Sequence, residues 1–183
     1  MRGLLVVNPR ATTTSPRVID VIVHALSDEI DLDVTVTTHK GHGILLGELA
    51  LEKRLDLVIT LGGDGVVNEV VNGMLCNGPS DEVPLLATVP GGSGNVFART
   101  LGLPTDAVEA TGLILDRLRD GGTRTAGLGR AGQRWFLANA DWALIRECPC
   151  PVWFVKNERL ARRPLILAAV DPSHAHAKPT PPP

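Results

Sequence analysis

The chain has no excess of basic charge, few cysteines and no long apolar run, and each shortage removes a class of function. Lys and Arg number 18 against 20 Asp and Glu, a formal net charge of -2, so nucleic acid is an unexpected partner. The three cysteines include no usual zinc pair and predict reduced structural thiols. No segment is long enough to span a bilayer or serve as a signal peptide. We therefore predict a cytoplasmic protein without a transmembrane segment.

Short apolar strands alternate with amphipathic helices along most of the chain. Strands are predicted at 4–7, 32–38, 57–61 and 85–89, with helices between them. In the first helix, the apolar residues at helical spacing predict one buried stripe: Val18, Val21, Ile22, Ala25 and Leu26. Four strands alternating with helices predict an α/β fold, a three-layer parallel sheet with helices on both faces. A hydrophobic content of 44% is ample for its core.

A glycine-rich turn, Gly62-Gly63-Asp64-Gly65, directly follows the third strand and opens a helix. Glycine lets backbone amides approach an anion closely, and a helix N-terminus offers unpaired N–H groups and the positive end of its dipole. The pattern favours a phosphate site, and Asp64 within it favours a nucleotide carrying Mg²⁺. The structural alternative is an ordinary tight turn, which can also use glycine.

Two further loops follow predicted strands and reach the same edge of the sheet, because the carboxyl ends of parallel strands lie together. One is the segment 8–14, rich in threonine. The other is the second glycine-rich turn, Pro90-Gly91-Gly92-Ser93-Gly94-Asn95. Three loops of this kind at one edge strengthen the prediction of a phosphate site.

Together these motifs resemble the catalytic domain of the diacylglycerol kinase family, which includes sphingosine, ceramide and bacterial lipid kinases. The family shows a strand ending in Asn-Pro, then Gly-Gly-Asp-Gly-Thr-x-Asn-Glu, then Pro-x-Gly-Thr-x-Asn-Asp-Phe-Ala-Arg. Here the motifs are Asn8-Pro9, Gly62 to Glu69, and Pro90 to Arg99. The resemblance covers residues 1–140 and implies a Rossmann-like nucleotide-binding domain. It also implies transfer of the γ-phosphoryl group of ATP to a lipid hydroxyl, with Mg²⁺ as the metal.

The same resemblance implies a set of site residues. Asp64 is the implied catalytic residue and holds Mg²⁺ directly or through water, while Ser93 stands where a family threonine holds a phosphate. The implied nucleotide-binding positions are Asn8, Pro9, Arg10, Ala11, Thr12, Thr37, Gly62, Gly63, Asp64, Gly65, Val66, Val67, Asn68, Glu69, Gly91, Gly92, Ser93 and Asn95. Structural alternatives stay open: Ser93 as a turn residue, and Asn68 or Glu69 as a helix cap or a solvated side chain.

The sequence departs from the family pattern at several positions. Val66 replaces the family threonine, Val96 stands where an aspartate is common, and Gly127 replaces an acid in the segment 124–129, which resembles a family strand. The last change weakens the case for a metal network there. His39 and His42 lie beside the expected nucleotide loop. They could contact phosphate, and the alternative is that they are solvated loop side chains.

The resemblance stops after Ala140. The family continues with a β-rich domain that covers the nucleotide cleft, and we predict that this C-terminal lid domain is absent here. Residues 141–156 and 164–173 instead resemble pieces of a universal stress protein domain. The predicted organisation is a kinase-like domain at 1–140, an appended fragment at 141–173 and a disordered tail at 174–183. An engineered chimera, a rearranged gene and a frame artefact all stay open.

Two functions are consistent with these observations. The first is an ATP-dependent lipid kinase, acting on diacylglycerol or a related lipid alcohol, with little or no turnover in this chain because the lid domain is missing. The second is a non-catalytic nucleotide-binding or scaffold module. Peripheral contact with a membrane and formation of a homodimer are left open. A dinucleotide dehydrogenase is disfavoured, because the turn lacks the Gly-x-Gly-x-x-Gly spacing.

Overall fold

A parallel four-stranded sheet forms the centre of the structure, a computed structural model that describes residues 1–11 and 15–137. The strands lie in the order β2-β1-β3-β4, and a small antiparallel hairpin, β5-β6, follows them. The elements in chain order are β1 (Arg2–Val7), α1 (Pro16–Ser27), β2 (Asp31–Val36), α2 (His42–Glu52), β3 (Leu57–Gly62), α3 (Asp64–Met74), β4 (Leu85–Pro90), α4 (Val96–Thr100), α5 (Ala107–Arg119), β5 (Gly129–Ala131) and β6 (Arg134–Phe136). The predicted α/β fold is confirmed.

Apolar side chains cover both faces of the sheet, because alternate residues of each strand point to opposite sides. On one face Leu4, Val6 and Val58 pack with α2 and α3. On the other, Leu5 and Val7 pack with α1 and α5. The two apolar clusters give the three layers that the sequence predicts.

Helices α1 and α5 begin where the sequence indicates an N-cap, at Ser15 before Pro16 and at Asp106 with Glu109 three residues later. The Ser15 side chain accepts a hydrogen bond from Val18 N at 3.4 Å, and Asp106 Oδ1 accepts from Val108 N and Glu109 N, each at 2.9 Å. The predicted buried stripe of α1 is wrong at Val21, whose surface is 47% exposed. One residue corresponds to a rotation of about 100° around a helix, so Val21 lies beside the stripe that Ile22 and Leu26 form.

Helices α2 and α3 pack at unusually short range through two glycines. A Cβ atom built on Gly73 would lie 2.0 Å from Ile44 O, and one built on Gly47 would lie 2.3 Å from Val70 O. Both contacts are with backbone atoms, which cannot rotate away as a side chain can. Because α2 and α3 each follow a strand of the parallel sheet, their N-terminal ends lie at the same edge of that sheet.

The β5-β6 hairpin is attached to α3 by the Asn72 side chain and by Trp135 Nε1, which donates to O of Leu75, the C-cap residue of α3, at 3.3 Å. Asn72 Nδ2 donates to Trp135 O at 2.9 Å, and Trp135 N donates to Asn72 Oδ1 at 2.9 Å. The segment 124–129 resembles a family strand in sequence, but here the strand begins only at Gly129.

We expect Asn72→Ala to loosen this hairpin. The substitution removes both bonds to Trp135, and two part-buried hydrogen bonds are worth about 1–3 kcal/mol together. Amide exchange at Trp135 should accelerate while exchange in β1 and β3 stays slow. Asn77→Ala, at an exposed position, is the control and should leave Trp135 unchanged. Equal exchange in the two variants would contradict this attachment.

Candidate nucleotide-binding site

A cavity of about 330 Å³ lies at the carboxyl ends of β1, β2 and β3. This is the edge at which open α/β sheets bind ligands. The lining residues come from the loops after β1 and β2 and from the first two turns of α3. They are Asn8, Pro9, Arg10, Thr37, Thr38, His39, Lys40, Gly65, Val66 and Glu69.

The hydrogen-bond ladder of the sheet continues past the strand ends and aligns the loops. Thr37 N donates to Val7 O at 2.8 Å, Asn8 N donates to Leu61 O at 2.9 Å, and Gly91 N donates to Gly62 O at 2.9 Å. The loops after β1, β2, β3 and β4 are therefore held side by side.

Three of the motif glycines let these loops touch. A Cβ atom on Gly62 would lie 3.0 Å from Asn8 Cβ, and one on Gly92 would lie 2.7 Å from Gly63 Cα. Asn8, Gly63 and Gly92 therefore share one rim. At Gly92 the close approach is between protein backbones, so its small size has a packing reason independent of any ligand.

Helix α3 begins in the cavity wall without a side-chain cap. Its N-cap residue, Gly63, makes no capping hydrogen bond through a side chain, in contrast to Ser15 and Asp106. Gly65 in the first turn is exposed, and a Cβ atom there would meet nothing within 4 Å. The first-turn amides of a helix have no partners within the helix, so this end of α3 suits an anion.

Asp64 caps a different helix with both of its carboxylate oxygens. Oδ2 accepts from Val96 N at 2.9 Å, and Oδ1 accepts from Phe97 N at 2.8 Å. These amides open α4, whose own N-cap residue, Asn95, supplies no side-chain cap and has φ +46°. Asp64 therefore joins the two glycine-rich loops, a contact that the sequence-based assignment did not include.

This geometry fits Mg²⁺ at Asp64 through water better than by direct coordination. Both oxygens already accept backbone hydrogen bonds, though each keeps lone pairs that a metal-bound water can use. Among residues 1–11 and 15–137, no cluster of three or more His, Cys, Asp or Glu side chains is placed to hold a metal. Such a site suits Mg²⁺, which usually keeps several waters and binds through substrate phosphates.

We expect Asp64→Ala to destabilise the protein even without nucleotide or metal. Hydrogen bonds to a charged acceptor are worth about 1.5–3 kcal/mol each, and partial exposure lowers that, so a loss of about 2–3 kcal/mol is expected. Urea unfolding in EDTA measures it. Asp20→Ala, at an exposed position of α1, is the control and should change stability by less than about 0.5 kcal/mol. An unchanged unfolding midpoint for Asp64→Ala would show that the α4 cap contributes nothing.

Several residues implied by the resemblance lie behind the cavity or away from its lining. Val67 is buried in the core, and the Asn68 side chain meets Asn72, whose Nδ2 donates to Asn68 Oδ1 at 3.3 Å. Asn95 Oδ1 accepts from Gly92 N at 2.9 Å and closes the second glycine-rich loop, at whose tip Ser93 is exposed. Ala11 closes the turn after β1, and Thr12 lies outside the described residues. Their roles toward a nucleotide remain predictions.

The loop between β2 and α2 lines the cavity more extensively than the sequence-based set includes. Thr38, His39 and Lys40 join Thr37 in the wall. The rings of His39 and His42 stack with centroids 5.1 Å apart, and Thr38 N donates to His42 Nδ1 at 3.1 Å. The sequence analysis named His39 as a possible phosphate contact but missed Thr38 and Lys40. Their only signal is their position after β2, a strand that ends at the same edge as the glycine-rich turn.

Comparison with known proteins decides the family. The family model described as the diacylglycerol kinase catalytic domain matches residues 2–131. The chain belongs to this family. Diacylglycerol kinases of Staphylococcus epidermidis and Bacillus subtilis are 38% identical over 97 residues and 35% identical over 112 residues. A crystal structure of a diacylglycerol kinase from Bacillus anthracis superposes with a TM-score of 0.65 at 33% sequence identity, over 74% of this chain.

The chain spans only part of each of these relatives. The matches cover 53% and 61% of this chain, but only 28% of the Staphylococcus epidermidis kinase and 35% of the Bacillus subtilis kinase, and 45% of the Bacillus anthracis structure. The predicted fragment at 141–173 and the tail at 174–183 lie outside the described residues. Within the described part of the diacylglycerol kinase domain, no helix has the length and apolarity to cross a membrane.

Proposed function

We propose that this chain binds Mg-ATP in the cavity at the carboxyl ends of β1, β2 and β3, as the nucleotide-binding part of an ATP-dependent lipid kinase. The observation that carries the proposal is the uncapped start of α3 in the wall of a cavity that also receives Arg10 and Lys40. Backbone amides and two cationic side chains are what a triphosphate requires.

The cavity wall favours a nucleotide over a small anion. Its volume of about 330 Å³ falls in the lower part of the range of about 300–1,000 Å³ for small-molecule pockets. Thr37 and Thr38, which carry hydroxyl groups, also line the cavity. The phosphates would lie toward α3, and Asp64 would hold Mg²⁺ through water. When bound, the metal neutralises negative charge on the phosphates.

The proposed reaction transfers the terminal phosphoryl group to a lipid alcohol such as diacylglycerol. A bond forms between the lipid hydroxyl oxygen and the γ-phosphorus, and the bond from the γ-phosphorus to the oxygen bridging the β- and γ-phosphates breaks. ADP leaves with that oxygen, and the proton of the hydroxyl passes to solvent. The residues of this chain would orient and neutralise the phosphate chain, which is the main protein contribution to phosphoryl transfer. The acceptor class follows from the names of the relatives, and a membrane surface would present it.

A non-catalytic nucleotide-binding module is the second candidate, and the geometry of Asp64 favours it. Both oxygens of this carboxylate hold the start of α4, so Asp64 is a poor general base for a lipid hydroxyl. Binding without transfer is the expected behaviour if Asp64 serves only to cap α4 and no other residue accepts the proton of the lipid hydroxyl.

Calorimetry with Mg-ATP tests the proposal that both candidates share. A Kd between about 1 μM and 1 mM is expected, the range typical of substrate KM values, and AMP should bind more weakly than ATP because it has fewer phosphates. Absence of binding by the parent chain would end the proposal. Radiolabelled ATP with diacylglycerol vesicles then separates the candidates, because labelled lipid above background requires the enzyme.

A further inference from the structure

Glu69 connects the second turn of α3 to the beginning of α2. Its Oε1 accepts from Gly41 N at 2.9 Å, and its Oε2 accepts from Gly43 N at 3.1 Å. Gly41 is the N-cap residue of α2, has φ +90° and makes no side-chain cap. Glu69 therefore supplies from another helix the cap that α2 lacks.

The sequence around Gly43 makes room for this carboxylate. A Cβ atom on Gly43 would lie 2.8 Å from Glu69 Cβ and 3.0 Å from Glu69 Oε2. A larger residue would push the carboxylate away from the two amides. The glycine and the glutamate therefore form one structural unit.

This cap fixes the far end of the loop that lines the cavity. The near end is held where Thr37 N donates to Val7 O at 2.8 Å, and the far end is held at Gly41 by Glu69. Lys40 immediately precedes Gly41 and lines the cavity. Restraining Gly41 restrains the backbone of Lys40.

The cap also gives the Glu69 carboxylate backbone amides as partners in place of the Lys40 ammonium. Both side chains line the cavity, yet no salt bridge joins them; those of the described region pair other residues. The Glu69 oxygens accept from backbone amides at the positive end of the α2 dipole, a favourable place for an anion. The Lys40 ammonium is left available for a phosphate group.

We propose that Glu69 is a positioning residue: it holds the loop 37–41 so that Lys40 contacts the phosphates of the nucleotide, and it does not itself bind nucleotide or Mg²⁺. This inference rests on the proposed function for its ligand, but the α2 cap is independent of any ligand. It assigns Glu69 the helix-cap role in place of the direct contact that the family resemblance implies, and it adds Lys40 to the site.

Glu69→Gln separates three roles for this residue, namely positioning, metal binding and repulsion of phosphate, because each predicts a different pattern of ATP and Mg-ATP affinity. Glutamine keeps the length of the side chain, but its NH₂ group faces an N–H donor and cannot replace the second acceptor. A positioning role predicts weaker ATP binding, by about tenfold, equally with and without Mg²⁺. If Glu69 were a metal ligand, the substitution would weaken the binding of Mg-ATP only. If its charge merely repelled phosphate, the substitution would tighten the binding of both ATP and Mg-ATP.

Amide exchange in the nucleotide-free protein tests the cap directly. In Glu69→Gln the amides of Gly41 and Gly43 should exchange at least about tenfold faster than in the parent, while β1 and β3 amides stay protected. Glu48→Gln, at an exposed position of α2, is the control and should change neither exchange nor binding. Unchanged exchange at Gly41 and Gly43 would contradict the proposed capping of α2 by Glu69, and this result does not depend on nucleotide binding.

A double-mutant cycle tests the link to Lys40 when the parent binds ATP. Lys40→Gln should weaken ATP binding about tenfold. Adding Glu69→Gln should weaken it little further, because both substitutions remove the same contact between Lys40 and a phosphate. Fully additive effects, an effect of Glu69→Gln confined to Mg-ATP, or tighter binding would each overturn the positioning role. A parent that binds no ATP removes the proposed function and with it the ligand role of Lys40, while the exchange result still decides the cap.

Discussion

Gly73→Ala is expected to destabilise the protein by about 3 kcal/mol or more, the largest effect that we expect from a single added methyl group. The new Cβ would lie 2.0 Å from Ile44 O, 2.8 Å from Glu48 N and 2.9 Å from Gly47 Cα. All three neighbours are backbone atoms of α2, so the helices must separate to admit the methyl group. Overpacking of a rigid contact typically costs about 1–3 kcal/mol, and a backbone neighbour places this case at the upper end or beyond.

Urea unfolding measures this effect when Gly73→Ala is compared with a control variant, the same substitution at a helical glycine that has no close neighbours. Gly112 lies in α5, is exposed, and a Cβ atom there would meet nothing within 4 Å. Gly112→Ala should therefore stabilise the protein by about 0.5–1 kcal/mol, because alanine restricts the unfolded chain and favours the helix. Similar unfolding midpoints for the two variants would contradict the close α2-α3 contact.

Gly65→Ala should leave the fold intact and weaken Mg-ATP binding by at least about tenfold. A Cβ atom on Gly65 meets no protein atom within 4 Å, although the residue lines the cavity. A helical Cβ tilts toward the N-terminus of its helix, so the methyl group would occupy the space where we propose a phosphate. A loss of tenfold corresponds to about 1.4 kcal/mol of binding free energy.

Calorimetry and unfolding must be measured together for this variant. Unchanged or higher stability with weaker Mg-ATP binding is the expected pair of results, and Gly112→Ala should bind Mg-ATP like the parent. Equal affinity in Gly65→Ala and the parent would place the phosphates elsewhere. Loss of stability would show that Gly65 contributes to packing.

The sequence was enough to predict the layered fold, because each element carries its own local signal. Apolar runs predicted the four strands, and Ser15 and Asp106 predicted the starts of α1 and α5. The close contact of Gly47 with α3 has no local signal. It depends on which face of α2 meets α3, and that is decided by packing over the whole sheet.

The candidate site was predicted in outline for the same reason. Parallel strands end at one edge, so the loops that follow them had to meet there, and the cavity lies at that edge. The capping role of Asp64 was not predicted, and a cap by Glu69 was left open only as a structural alternative. The amides that these two carboxylates accept from lie on helices distant in sequence. Lys40 was missed because a single lysine in a loop carries no pattern.

An amide chemical-shift titration of the ¹⁵N-labelled chain with Mg-ATP tests the nucleotide site most directly. The proposed phosphate position predicts the largest shifts at Gly65 and Val66, smaller shifts at Thr38 and Lys40, and none at Gly112 on α5. Saturable binding whose shifts cluster away from the first turn of α3, or no shifts at millimolar Mg-ATP, would contradict it.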